Sequence, residues 1–265
     1  MPAGLGGRLR SLPRIVNREP FPNWKGLRAS NETAGLSAVG QKGVTFGSEA
    51  GSEHTIVLNA PVMNLGFLAS HNGSNMQAII AACKAGRLQA TPVLVISNNA
   101  ASGALQRAAR EAIPHYHLSA KTHPSPDALE RAILDVLLSH QVEIVILAGY
   151  MKKLGSQVLA RFAGAILNIH PALLPKFGGP GMYGAHVHEA VLAAGETESG
   201  ASVHLVDEGY DSGPVIAQAR VPVLPGDTPQ TLAARVLQAE HELFPAVLQQ
   251  IASGEIRIPG YNNPP

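Results

Sequence analysis

From residue 64 onward, short apolar runs alternate with amphipathic ones, and glycine, proline or polar clusters close each of them. Leu65–Ser70, Pro92–Ser97 and Glu143–Ala148 are strand-length runs rich in Leu, Ile and Val, which predicts buried β-strands. Between them, Asn75–Lys84 reads as a helix stopped by Gly86, Gly103–Glu111 as an Ala-rich helix, and Asp127–His140 as a helix after Pro126. Ala165–Ile169 predicts another strand, followed by a long glycine-rich loop and a helix around His186–Ala194. Ala201–Val206 and Pro214–Val221 read as strands, and Thr228–Ser253 as a long C-terminal helix. Strands alternating with helices across short turns predict an α/β fold: a Rossmann-like, open, mainly parallel twisted sheet with helices on both faces. No internal repeat interrupts the pattern.

Residues 1–61 show neither period, and carry glycine-rich pieces with scattered Arg8, Arg10, Arg14, Arg18 and Arg28. The division expected is a disordered N-terminal extension over 1–62, a catalytic domain over 63–258 and a tail over 259–265, with Met63 as a candidate true start. No apolar core of a secretory signal precedes residue 55, and Glu19 and Glu32 weaken a transit-peptide reading.

Composition narrows the function classes. The 265 residues are 45% hydrophobic and 15% charged, which is a globular balance. Twenty basic against nineteen acidic residues leave a formal charge of +1, against broad phosphate neutralisation on nucleic acid and against a polybasic membrane anchor. Cys83 is the single cysteine, so an intramolecular disulfide and a zinc site of several thiolates are excluded; it reads as a small core residue. No run approaches the roughly 20 apolar residues of a membrane span. A cytoplasmic protein is the expectation.

Three segments carry chemistry. His71-Asn72-Gly73-Ser74-Asn75 is a glycine turn between the first strand and its helix, where free N–H groups and the positive helix end favour an anion. There Gly73 lets the backbone approach a ligand, and Ser74 and Asn75 serve as donors or as helix caps. The dinucleotide pattern G-x-G-x-x-G is missing, so NAD is not implied. Asn168 and His170 lie two apart and share one face of a strand that Pro171 ends, at the carboxyl end where open α/β sheets bind ligands. Asp207-Glu-Gly-Tyr-Asp-Ser-Gly-Pro214 brings three carboxylates into one loop, without the spacing of a calcium site. Ser202 and His204, on the strand before it, share a parity and are candidates to line the cleft; a packed histidine is the equal alternative.

Asn168-Ile-His-Pro-Ala-Leu-Leu-Pro175 with Asp211-Ser-Gly-Pro214 resembles the Asn–His–Asp signature of the folate-dependent formyltransferases. Ser70-His-Asn-Gly-Ser-Asn-Met-Gln-Ala-Ile-Ile80, Leu147-Ala-Gly-Tyr-Met151, Gly200-Ala-Ser-Val-His-Leu-Val206 and Gln238-Ala-Glu-His241 are similar in order to the monofunctional members that act on 5-phosphoribosylglycinamide. The resemblance covers roughly residues 64–258. It implies formyl transfer from 10-formyltetrahydrofolate, a co-substrate, to the amine of 5-phosphoribosylglycinamide, with no metal, nucleic acid or membrane, by a monomer or homodimer. By the same resemblance Asn168, His170 and Asp211 are catalytic, Gly73, Ser74 and Asn75 hold the phosphate, and Glu240 accepts from the ribose hydroxyls. Met151, Lys152, Lys153 and Leu154, with Asn168 and the loop Asp207, Glu208, Gly209, Tyr210 and Asp211, enclose the folate.

The groups themselves suit that reaction: Asn168 and protonated His170 can donate to a developing oxyanion, and Asp211 is expected to raise the pKa of His170. The amine proton leaves through Asp211 or water, with no covalent intermediate. Departures from the family pattern are the glycine-rich loop Phe177–Gly184, the replacement near Pro126 of an arginine that helps bind folate, and Lys153 at an often apolar position. Alternatives are a formyltetrahydrofolate deformylase, which needs βαββαβ patterning that residues 1–61 lack, and a non-catalytic phosphate-ligand module. A methionyl-tRNA formyltransferase needs a further C-terminal β-domain, for which no room is expected after the last helix.

Overall fold

The computed structural model describes residues 16–17 and 62–262. Its strands are β1 (Val16–Asn17), β2 (Met63–Ala69), β3 (Ala90–Ser97), β4 (His115–His117), β5 (Ile144–Leu147), β6 (Ile166–His170), β7 (Glu198–Leu205) and β8 (Val215–Pro222). The helices are α1 (Ser74–Lys84), α2 (Gly103–Arg110), α3 (Pro126–Ser139), α4 (Ser156–Arg161), α5 (Ala185–Ala193) and α6 (Pro229–Ala252). One sheet holds all eight strands in the order β1-β8-β7-β6-β5-β2-β3-β4. From β6 to β4 every pairing is parallel, whereas β7 and β8 return antiparallel. Within the segment expected to be a disordered extension, β1 pairs with Ala217 and Gln218 of β8; the rest of that extension lies outside the described residues.

Alternation along the strands sends side chains to two cores. Leu65, Phe67 and Ala69 of β2 pack with Met76 and Ile79 of α1 and with Phe244 and Val247 of α6. Leu68 goes to the other face, against Leu94, Ile96, Ile133 and Leu137, with Val158 and Phe162 behind them. Helices therefore cover both faces, as the pattern predicts. The helix starts follow local chemistry: Ser125 accepts from Ala128 N–H ahead of Pro126, and Thr228 and Thr231 cap α6 reciprocally ahead of Pro229. Besides β1, two elements were not anticipated. The His-Tyr-His sequence of β4 has no apolar run, and α4 is only six residues long, so neither produces a period. Among the described residues no helix is long and apolar enough to cross a membrane. Cys83 is half-buried at the edge of the core, its thiol pushed up to about 11 by burial.

Candidate active site

The carboxyl ends of β2, β5 and β6 open into a cleft of about 990 Å³, closed on its other sides by the β7–β8 loop, the glycine-rich loop before α5, and α6. At one end of the cleft, β2 runs into the turn that starts α1. Gly73 is the N-cap, at φ 70°, and no side chain caps the helix. Ser74 and Asn75 are thus helical residues, and of the two expected roles, donor or cap, capping is not the one they take. The first helical bond runs from Gln77 N–H to Gly73 O, so the N–H groups before it are left for a ligand. A Cβ on Gly73 would lie 2.9 Å from Ala104 Cβ, so both the backbone angle and the packing of α2 demand glycine. Arg107 of α2, which the sequence did not single out, braces the turn by donating from Nε to Asn72 O (2.9 Å) and from Nη2 to Asn72 Oδ1 (3.2 Å).

Asn75 reaches across to α6 and donates from Nδ2 to Glu240 Oε2 at 2.6 Å, while its own Oδ1 is buried without a partner. Glu240 is only 7% exposed. Burial, opposed in part by the Asn75 hydrogen bond, pushes its carboxyl up to about 7. Both residues line the cleft; Gly73 and Ser74 stand behind Asn75 rather than on the lining.

At the other end, antiparallel register places His204 of β7 directly opposite Asn168, and Ser202 opposite His170. Because a carbonyl only accepts, His170 donates from Nε2 to Phe177 O (2.7 Å) and His204 from Nδ1 to Leu205 O (2.8 Å). His204 Nε2 then accepts from Asn168 Nδ2 at 3.0 Å. Asp211 stands between the rings, with Oδ2 3.4 Å from His170 Nδ1 and Oδ1 3.5 Å from His204 Nε2. Gly179 N–H donates to Asp211 Oδ2 at 3.0 Å. The glycine-rich loop therefore holds both His170 and Asp211 through its main chain, a role with no side-chain signature in the sequence.

Burial of His170 outweighs the pull of Asp211 and lowers its pKa, and His204 adds to the lowering. This corrects the expectation of a raised value: the resting imidazole is neutral. Burial alone would raise Asp211, but the imidazoles of His204 and His170 beside it and the Gly179 N–H together hold it below the usual aspartate value. His188 on α5, also unanticipated, is buried with Nδ1 unpartnered and is pushed down by burial and by His170. Ser202 does not line the cleft. Its hydroxyl donates to Ala172 O and accepts from Leu174 N–H and Gln218 Nε2, fixing the segment after Pro171.

Between the two ends, Ser70 ties loops together: its hydroxyl accepts from Met151 N–H (2.8 Å) and donates to Asn98 Oδ1 (2.6 Å). Met151, Lys152, Lys153 and Leu154 line the cleft beside Asp207, Gly209 and Tyr210. Asp207 Oδ1 accepts from Gly209 N–H and Ser212 Oγ, which folds that loop upon itself. Glu208 is exposed and off the lining. Among the described residues no group of three or more His, Cys, Asp or Glu side chains could hold a metal ion. The arrangement offers an anion seat at one end and, at the other, an amide donor, a neutral imidazole and a carboxylate around one point.

Residues 63–248 match the family model described as formyl transferase. The chain belongs to the formyl transferase family. Within that family it is 40% identical over 196 residues to phosphoribosylglycinamide formyltransferase of Escherichia coli, covering 74% of this chain and 90% of the relative. It is 44% identical over 203 residues to the trifunctional purine biosynthetic protein adenosine-3 of Drosophila pseudoobscura, covering 76% of this chain but spanning only 14% of that protein's length. The crystal structure of phosphoribosylglycinamide formyltransferase from Brucella melitensis superposes with a TM-score of 0.68 at 43% identity, over 75% of this chain and 100% of the other. A formyltetrahydrofolate deformylase from Pseudomonas syringae, at 24% identity and a TM-score of 0.66 over 77% of this chain and 65% of the other, shares the formyl transferase fold.

Proposed function

We propose that this formyl transferase moves the formyl group of 10-formyltetrahydrofolate onto the amine of 5-phosphoribosylglycinamide, a step of purine synthesis. The observation that carries the reading is a single cleft joining the uncapped start of α1 and Glu240 to Asn168, His170 and Asp211. Phosphate sits on the N–H groups around Gly73, Ser74 and Asn75, and the ribose hydroxyls donate to Glu240. The folate lies along Met151–Leu154 and the Asp207–Asp211 loop. Two relatives that this chain covers almost in full are named phosphoribosylglycinamide formyltransferase, which supports the reading.

As the amine attacks the formyl carbon, negative charge develops on the formyl oxygen. Asn168 commits one amide hydrogen to His204 and has the second for that oxygen. His170, with Nε2 donating to Phe177 O, offers the Nδ1 lone pair towards Asp211 and the cleft. It takes the amine proton there, Asp211 stabilises the imidazolium so formed, and the proton passes to the departing folate nitrogen. No side chain becomes covalently attached. We place the enzyme in the cytoplasm, acting on small molecules alone as a monomer or homodimer.

The test is to incubate the full chain with 10-formyltetrahydrofolate, with and without 5-phosphoribosylglycinamide, and follow tetrahydrofolate and formylated ribonucleotide. Product that depends on the amine is the expected result. Folate deformylation indifferent to the amine would make the enzyme a hydrolase, and inertness in both formats would leave a phosphate-ligand module.

A further inference from the structure

The turn that opens α1 is gripped from one side by α2. Ala104 N–H donates to His71 O at 3.1 Å, and Ala104 Cβ packs where a side chain on Gly73 would stand. Gly103 lies equally close to Asn72: a Cβ there would come within 2.9 Å of Asn72 Oδ1. One turn on, Arg107 closes the grip with its fork on Asn72 O and Oδ1, and its Nη1 reaches Gln77 Oε1 at 3.5 Å. Gln77 is held in that orientation because its Nε2 donates to Glu111 Oε1 at 2.9 Å. The guanidinium therefore holds both sides of Gly73, the residue before it and the first turn of α1 after it.

Every one of those acceptors is a neutral oxygen. Among the described residues Arg220 is paired with Glu198 at 2.8 Å and Arg235 with Asp227 at 2.6 Å, whereas Arg107 has no carboxylate partner. Glu111, one turn along α2, is occupied by Gln77 and by Lys84 at 2.9 Å. A cation bonded only to neutral groups keeps its field, and that field adds to the positive end of α1. It is felt on α6: His241, next to Glu240, has a buried Nε2 without a partner and is pushed down by burial and further by Arg107. Arginine suits both tasks, since its planar fork fixes the main chain while its charge is permanent.

We propose that Arg107 is the positioning residue that gives the enzyme its preference for a phosphorylated substrate; the inference rests on the proposed function. Acting through Asn72, it holds the free N–H groups after Gly73 in place for a phosphate dianion. Its uncompensated charge favours that dianion over a neutral hydroxymethyl group. Arg107 is not on the cleft lining, so it contributes to binding and not to the chemical step at Asn168, His170 and Asp211.

The full chain and its Arg107→Gln and Arg107→Lys variants are assayed with 5-phosphoribosylglycinamide and with ribosylglycinamide, which lacks the phosphate. Arg107→Gln should raise KM for the phosphorylated substrate about tenfold, with kcat at saturation and KM for the folate little changed. Arg107→Lys keeps the charge without the fork and should raise it about threefold. The kcat/KM for ribosylglycinamide should be the same in variants and wild type, and the gap in KM should narrow as ionic strength rises. A loss shared equally by the two substrates, a loss in kcat with KM steady, or an unaltered KM in both variants would overturn the inference. Ribose 5-phosphate titrated by calorimetry reads the same preference without turnover, and should bind about tenfold more weakly to Arg107→Gln than to the wild type. A chain that binds ribose 5-phosphate in this Arg107-dependent way yet transfers no formyl group would fail the proposed function alone.

Discussion

The two ends of the cleft each hold a shielded carboxylate, and they treat it in opposite ways. Asp211 is surrounded by His170, His204 and the Gly179 N–H, and is held below the usual aspartate value despite its burial. Glu240 has one neutral donor, Asn75, and burial pushes it up to about 7. Partners decide the charge: a carboxylate supplied with donors stays ionised in a shielded place, and one with a single amide shares its proton with solvent near neutrality. Asp211 thus keeps a permanent charge, which the proposed mechanism uses for an imidazolium formed only during reaction. Glu240 rests partly neutral near pH 7, with the buried Asn75 Oδ1 also unpartnered, and the proposed ribose hydroxyls would supply the donors it lacks.

The largest test of this contrast removes the permanent charge. Asp211→Asn keeps the shape but leaves nothing to stabilise a charged His170, and kcat should fall on the order of 10²–10³, with KM for 5-phosphoribosylglycinamide little changed. Wild-type single-turnover rates in that variant would break the comparison. Glu240→Gln tests the other end through stability. The folded chain binds the Glu240 proton more tightly than the unfolded chain, so the wild type is most stable on this account below about pH 4.5 and loses stability as pH rises to about 7. The glutamine variant lacks that loss and should gain up to about 3 kcal/mol relative to wild type at pH 8, read by denaturant unfolding at pH 4.5 and pH 8, while its substrate KM rises.

Smaller effects sharpen the picture. His204→Ala frees Asn168 from its orienting partner and removes an imidazole from beside Asp211, so kcat should drop about tenfold. The acid limb of the rate profile should move to higher pH, because Asp211 is less well held, and His204→Asn should restore part of the rate. Asn75→Ala removes the one donor to Glu240, at a cost of about 1 kcal/mol, and its carboxyl should rise above 7. The pH window over which stability is lost then extends upward, a shift that unfolding curves between pH 6 and 9 would reveal.

Much of the fold was legible because buried parallel strands are short apolar runs between glycine and polar turns. Leu65–Ser70, Pro92–Ser97 and Glu143–Ala148 each overlap an observed strand within two residues. β4 escaped because a half-exposed edge strand of His115, Tyr116 and His117 needs no apolar period. In the site, Asn168, His170 and Asp211 were legible as a polar pair and a loop carboxylate at strand ends. Arg107 was not, since an arginine on an Ala-rich helix looks like solvent-facing charge until α2 packs against the glycine turn at 73. Ser202 was misplaced for a related reason: parity along β7 gives its face, but the turn after Pro171 folds over it and takes its hydroxyl.

By itself the amino-acid sequence determined the order of strands and helices, β1, β4 and α4 apart, the glycine turn at 73, and which residues could donate, accept or carry charge, because periodicity and side-chain chemistry are local properties. Only the tertiary structure decided that His204 lies across from Asn168, that the glycine-rich loop presents the Phe177 carbonyl to His170 and the Gly179 N–H to Asp211, and that Asn75 meets Glu240. It also reversed the expected direction for His170. The charge state of a buried group is the balance between water lost and partners gained, and both are set by segments distant in the chain.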